Sequence, residues 1–373
     1  MRPPSRSVRF RWRISRHQHD SQRRSAISTP VRISLRIPGT SPLPGLLRLI
    51  QHVETAGFDG AGILDSQLLC RDTFITLALA ASQTSRLNLF PAVTNPFTRH
   101  VSVLAGALQS AEELAPGRVQ CVIGTGYTSA STIGRKPATL AEMRQTIGDL
   151  KALLDGGAVT FHATAGRLEF AAGRRIPVLM AASAPKAIEL AGEVADGVML
   201  LVGFTPGIVG AALERLEHGA RRGGRRLEDL EIVWAVRTGT AGTTEEARRQ
   251  ARPTAVHWGF LHGGGHWLQH AGLDLPPLEI PQAVRDIYPD LSHAPNWEEA
   301  IAATSFVPDD VVGQLCDALG LIGTPEYCAQ RITEMSEQGV RSLYLMTLQT
   351  FVGPERELEA FRDTVIPQLQ AAG

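Results

Sequence analysis

Leu87-Asn88-Leu89-Phe90-Pro91-Ala92-Val93-Thr94-Asn95-Pro96-Phe97-Thr98-Arg99-His100 opens the stretch, closing at Gly126, on which the fold turns. Leu87 to Val93 is apolar, short and bounded by turn formers, the pattern of a buried strand. Ser102 to Ala115 carries apolar residues at helical spacing, and Pro116-Gly117 stops it. Arg118 to Gly126 then reads as a second buried strand with a glycine-rich end, Gly124-Thr125-Gly126. The result is a strand–helix–strand unit whose polar groups and glycines gather where strands finish. In parallel α/β folds, ligands bind at those ends.

Working outward, the same alternation recurs. Val31 to Ile37 is an alternating first strand, followed by an amphipathic helix from Leu43 to Ala56 with Leu46, Leu49, Ile50 and Val53 on one face. Phe58 to Leu64 is the second strand and ends on Asp65-Ser66; Asp72 is placed to cap the helix running to Ser82. Beyond the central stretch come a helix from Thr139 to Leu154 and a small hairpin, Ala158–His162 with Arg167–Phe170. A fifth strand spans Ile176–Ala181 before a helix from Pro185 to Ala195, and a sixth spans Gly197–Val202 before a helix from Pro206 to Arg222. The seventh strand is Glu231–Val236. Regularity breaks from Thr243 to about Leu321, which reads as a long insertion. It resumes with a helix from Thr324, the eighth strand at Val340–Met346 and a last helix from Glu355 to Leu369. Eight strands alternating with helices argue for a closed (β/α)8 TIM barrel, a fold of roughly 250 residues before insertions.

Composition agrees. The 373 residues are 43% hydrophobic with formal net charge +0, enough to bury a large core. Residues 1–30 hold eight arginines and one acid, Asp20, so this head carries +7 and the remainder −7. The head has no apolar run of a secretory signal and no aromatics spaced for stacking nucleotides. It reads as a disordered extension or an over-long gene start ahead of a domain spanning 31–373, with a nucleic-acid arm or organelle presequence as the alternatives. Four cysteines fall at no metal or disulfide spacing, and no run approaches the ~18 apolar residues of a membrane span. The expectation is a cytoplasmic enzyme with a small-molecule substrate, a homodimer, and neither nucleic acid nor membrane as partner.

Several positions carry chemistry. Asn95-Pro96 forces extended or turn geometry before proline. Gly124-x-Gly126 lets backbone approach a ligand, although a third glycine is missing at Ser129, so this is no dinucleotide fingerprint. Ala182-Ser183-Ala184-Pro185-Lys186 starts a helix with a hydroxyl, free N–H groups and a lysine, the makings of an anion site. In the insertion, His262, His266 and His270 recur every fourth residue, a metal-like spacing. Three successive glycines argue against a helix there. A Trp/Phe/His-rich lid over the strand ends, or simple cover for the barrel, is the preferred reading, with no metal.

Val93 to His100 with Gly124-Thr125-Gly126, and the second motif Ile176 to Lys186 running on to Ala195-Asp196-Gly197-Val198, resemble the luciferase-like flavin oxidoreductases. Closest is the branch using coenzyme F420, typified by methylenetetrahydromethanopterin reductases. The resemblance implies hydride transfer at C5 of the deazaflavin, FMN being the alternative cofactor and a reduced-FMN monooxygenase the alternative enzyme. A non-catalytic flavin-binding barrel is the third reading. The resemblance places a cis-peptide bulge around Ala92, Val93 and Thr94. The implied cofactor set is Val93, Thr94, Asn95, Gly124, Gly126, Ser183, Ala184, Lys186, Val202 and Gly203. Ala184 stands where the family commonly has glycine. Asp65 is the candidate catalytic acid, its alternative a helix cap; Arg99 and His100 hold the helix start. Arg36, His262 and His266 are the substrate candidates. The reductases carry an acidic residue near Arg36, so an arginine here disfavours a cationic iminium substrate and suits an anion, or else is a paired surface residue.

Overall fold

A computed structural model describes residues 30–171, 175–261, 265–275, 277–287 and 290–372. The basic head and His262 therefore lie outside the described residues. The chain begins β1 (Arg32–Ile37), α1 (Leu43–Thr55), β2 (Gly60–Ile63), α2 (Thr73–Gln83), β3 (Asn88–Pro91), α3 (Val101–Leu114) and β4 (Cys121–Ile123). It continues with α4 (Tyr127–Ser131), α5 (Leu140–Leu154), the hairpin β5 (Val159–Phe161) and β6 (Thr164–Gly166), β7 (Val178–Ala182), α6 (Pro185–Val194), β8 (Gly197–Leu200) and α7 (Pro206–Arg222). Next come β9 (Glu231–Thr240), α8 (Thr244–Val256), short helices α9 (Gly265–Leu268) and α10 (Gln282–Arg285), α11 (Trp297–Ala303), α12 (Asp309–Leu319) and β10 (Gly320–Gly323). The chain closes with α13 (Pro325–Glu337), β11 (Ser342–Thr347), α14 (Glu355–Ala360) and α15 (Ile366–Ala372).

The strands order β3-β2-β1-β11-β9-β8-β7-β4, all parallel, and bridges Leu89↔Val119 and Thr94↔Ile123 join β3 to β4. The sheet is thus the expected closed TIM barrel. Asp72 caps its helix as the sequence suggests, and Thr139 caps a second one. Asp72 accepts from the Phe74 and Ile75 amides, and Thr139 forms a reciprocal capping box with Glu142. Two apolar layers result. The larger lies between strands and helices, and the smaller fills the barrel with Phe90, Val122, Leu179, Met199, Val233, Ala235, Tyr344 and Met346. Among the described residues, no helix is long and apolar enough to cross a membrane.

Three expectations need correction. The hairpin's second strand is Thr164–Gly166, because His162 takes a left-handed conformation (φ 53°) and closes a two-residue turn before Arg167 is reached. The strand read over Arg118–Gly126 shrinks to Cys121–Ile123, its flanks contributing only isolated bridges. The insertion is largely helical, and its last residues form β10, parallel to the outer half of β9 (Gly320↔Arg237 to Gly323↔Thr240). A Cβ at Gly320 would sit 2.0 Å from the Arg237 carbonyl, so the glycines that disguise β10 as a loop are what let it approach.

Glu357 fastens α14 to this extension, its carboxylate accepting from the Thr240 amide at 3.5 Å. Burial pushes it up to about 7, against weaker opposing pulls from the Thr240 amide and Arg356. The folded chain therefore keeps a proton that the unfolded chain releases near its ordinary value of 4.5. Stability should be full below that value and fall by about 2–3 kcal/mol as pH rises towards 7. Urea unfolding at pH 5 and pH 8 checks this: Glu357→Gln should flatten the difference, and an equally steep dependence in the variant would refute it.

Candidate active site

Side chains alternate along a strand, so every second residue faces the barrel axis. At the C-terminal rim the inward positions on β3, β4 and β7 are small or bare. Val93, Ala181 and Leu201 pack against the barrel-filling cluster and are its partly exposed members. Gly124 lies between two of them. A Cβ there would meet Val93 Cγ2 at 2.9 Å and Ala181 Cβ at 3.5 Å. Together they make an apolar platform, and the Ala92–Val93 peptide in it is cis, at the position the resemblance implies. An aromatic ring system fits such a surface, with polar atoms supplied at its edges.

The neighbouring predicted residues point elsewhere. Thr94 and Asn95 are fully buried. Asn95 Oδ1 accepts from the Phe97 and Thr98 amides at 2.9 and 3.1 Å, and its Nδ2 donates to Ser129 Oγ. Its side chain is consumed in capping the turn and tying β3 to α4. Gly126 is left-handed (φ 80°) and lies against Asn95 itself, a Cβ there coming within 2.9 Å. Val202 is buried in the strand–helix layer, and Gly203 packs against the Ala318 carbonyl, Ile208 and Trp258. These are supports of the rim and not its lining.

Ser183 and Ala184 are exposed at the tip of β7, where α6 begins with Pro185 and no side-chain cap. The open first turn keeps its capacity for an anion. Lys186 is exposed and lines a groove of about 480 Å³ on the outer flank with Arg144, Glu189 and Glu193, so its side chain leaves the rim. The insertion is pinned here. Trp267 Nε1 donates to the Ser183 carbonyl at 2.9 Å, and the His270 carbonyl occupies the place a Cβ on Gly207 would take. His266 is exposed, its ring edge-on to Trp267. Trp267, and not His266, makes the side-chain hydrogen bond to the tip of β7.

Asp65 is buried (3% exposed) and fully engaged: Arg99 donates to Oδ2 at 2.7 Å and Gln67 to Oδ1 at 3.0 Å. Arg99 also donates to Asp72 at 2.7 Å and lies over the Phe74 ring. Burial works against the Arg99 charge, but the two carboxylates more than offset it and hold the guanidinium above its usual basicity. The expected free acid is therefore the ionic anchor joining the β2 loop to the α3 entry, while Asp72 does the capping. His100 takes the N-cap of α3, as expected, with its ring against Phe161.

Across the rim from the platform, the character inverts. Arg36 on β1 is only 4% exposed and Arg237 on β9 is half-buried. The registers set both beside Met346, on either side of β11. Both Nη1 atoms approach the Thr347 carbonyl, at 3.5 and 3.4 Å, which is long for a hydrogen bond. The Arg36 guanidinium lies beside the Tyr344 phenol, whose hydroxyl donates to the Gly62 carbonyl at 3.4 Å. Burial pulls Arg237 down to about 9, with Arg36 adding to the effect, so it still carries its charge at neutral pH. Sharing one carbonyl brings the two like charges close enough to repel. The sequence reading had Arg36 but missed Arg237 and Tyr344. The available signal was a charged residue on the inward parity of β9, after Val233 and Ala235.

Residues 24–342 match the luciferase-like monooxygenases. The chain belongs to that family. Among its relatives, the 5,10-methylenetetrahydromethanopterin reductase of Methanolobus tindarius is 26% identical over 332 residues, covering 85% of this chain and 94% of the relative. The F420-dependent glucose-6-phosphate dehydrogenase of Beutenbergia cavernae is 26% identical over 353 residues, covering 87% and 93%. Among solved structures, the coenzyme F420-dependent tetrahydromethanopterin reductase of Methanopyrus kandleri superposes with TM-score 0.74 at 20% identity, covering 91% of this chain and 99% of that one. The luciferase-like fold accounts for the site lying at the C-terminal rim. The arginine pair sits on β1 and β9.

Proposed function

We propose that this protein is an F420-dependent oxidoreductase that moves a hydride between the deazaflavin and an organic substrate in the barrel mouth. The observation that carries the proposal is the bare platform of Val93, Gly124, Ala181 and Leu201. It is apolar and partly open, and a side chain at position 124 would crowd Val93 and Ala181. F420 supplies a hydride-carrying C5 when bound. The chain's part is to orient and to exclude water. The platform would fix one ring face, the uncapped start of α6 with Ser183 would receive the phosphodiester, and the insertion would roof the mouth through Trp267. No nucleophile is required, and with Asp65 committed to Arg99 none of these roles depends on a free carboxylic acid.

FMN would find the same platform, and its terminal phosphate the same helix start, so a reduced-FMN monooxygenase is the second reading, in keeping with the family's name. Titrating the purified chain with each cofactor separates them. F420 fluorescence should quench with low-micromolar affinity and FMN should bind more weakly. Preference for FMN would reverse the assignment, and binding of neither would favour a non-catalytic barrel.

A further inference from the structure

We infer that Arg36 and Arg237, with the Tyr344 hydroxyl beside them, form a receiving site for an oxyanion on the substrate, so that the substrate is a small organic molecule bearing a carboxylate, sulfonate or phosphate. The inference deepens the proposed function, since it rests on the barrel mouth being where substrate meets cofactor.

Among the described residues, the two arginines carry charge without an ionic partner. Buried guanidiniums in folded proteins are paired with carboxylates or similarly compensated. Among the described residues neither Arg36 nor Arg237 makes an ion pair, and both instead reach towards a single backbone carbonyl, that of Thr347. Arg36 Nε is buried with no hydrogen-bond partner. Each guanidinium carries five N–H donors, so most of this donor capacity is unspent. Among the described residues, the carboxylate that acts on Arg237 is Asp290 of the insertion, already held by His293 Nδ1 at 2.8 Å and by the Ser292 amide at 2.8 Å. No described residue neutralises the pair.

The position of the two arginines points the same way. Arg36 and Arg237 flank Met346 on the β1–β11–β9 wall, and the apolar platform occupies the opposite β3–β4–β7 wall. A molecule between the walls would have a flat ring on one side and two planar cations on the other. The guanidinium fork matches an oxyanion in geometry as well as charge. It repels an iminium cation. An anionic headgroup would quench the repulsion between the arginines and, by fixing one end of the substrate, would set which carbon faces the ring.

The test uses the full-length chain in low-ionic-strength buffer and calorimetric titration with sodium sulfate, acetate and inorganic phosphate, with and without F420. At least one of these anions should bind at one site per chain. Arg36→Met and Arg237→Met should each weaken it at least tenfold, and Arg221→Met, an exposed control, should leave it unchanged. F420 quenching should stay within twofold in all variants. Should the methionine variants fail to fold, Arg36→Lys and Arg237→Lys carry the test, with three- to tenfold weaker anion affinity expected from loss of the planar fork. Anion binding indifferent to the substitutions, or no binding of any of the three, overturns the inference. Loss of F420 uptake on removing the arginines also overturns it, because the pair would then serve the cofactor's phosphate. If the wild type takes up no F420 yet binds an anion through both arginines, the cofactor reading fails and the oxyanion site stands.

Discussion

Gly124→Leu is expected to lower F420 affinity by two orders of magnitude or more, about 3 kcal/mol, while the barrel stays folded. The position is the point of closest approach in the platform: even a Cβ would come within 2.9 Å of Val93 Cγ2 and 3.5 Å of Ala181 Cβ. Those neighbours are side-chain atoms at a partly exposed rim, so the fold can yield by a small rotation of Val93. A ring cannot yield in the same way, because the added isobutyl group would stand where its face must lie. Gly124→Ala should show an intermediate loss. Fluorescence titration measures the affinity, and circular dichroism melting shows whether the structure survives. Wild-type affinity in the leucine variant would remove the platform from the site.

Arg99→Met should destabilise the chain by about 3–5 kcal/mol, the range found when one partner of a buried ion pair is removed. Asp65 is 3% exposed and Arg99 donates to it at 2.7 Å. Without the guanidinium, the carboxylate keeps only the Gln67 amide. The pairing with Asp72 is worth less, since that carboxylate is well exposed and caps α2 whether or not Arg99 is present. Methionine retains the contact with Phe74, so the loss isolates the charge. Arg99→Lys should recover part of it, less than half, because one ammonium cannot span both acids as the fork does. Urea unfolding reads the difference, and a change below about 1 kcal/mol would show that Asp65 is not dependent on Arg99.

The two predictions bear on different layers of legibility. Strand–helix alternation is a local property, carried by period-two and period-3.6 patterns, by Asp72 as a cap and by Pro116-Gly117 as a stop. Eight repeats of it admit few topologies, so the closed parallel barrel could be read directly. The insertion was harder. Its short helices lie in a stretch interrupted by Pro and Gly, and β10 consists of Gly-Leu-Ile-Gly, which has strand character only when β9 offers an edge.

Site residues divide along a similar line. The sequence by itself pointed to the strand ends as the place for a ligand, and it put a glycine at position 124 and an arginine at position 36. Tertiary structure decided which side chains turn inward. It buried Thr94, Asn95 and Val202, sent Lys186 to the outer flank and spent Asp65 on Arg99. It also brought Arg237, 201 positions from Arg36, to the same carbonyl. The reason is that a residue's type and local period fix its secondary structure, whereas its partner in a barrel is set by register between strands far apart in the chain. A one-residue change in that register would exchange the lining of the mouth for the layer beneath the helices.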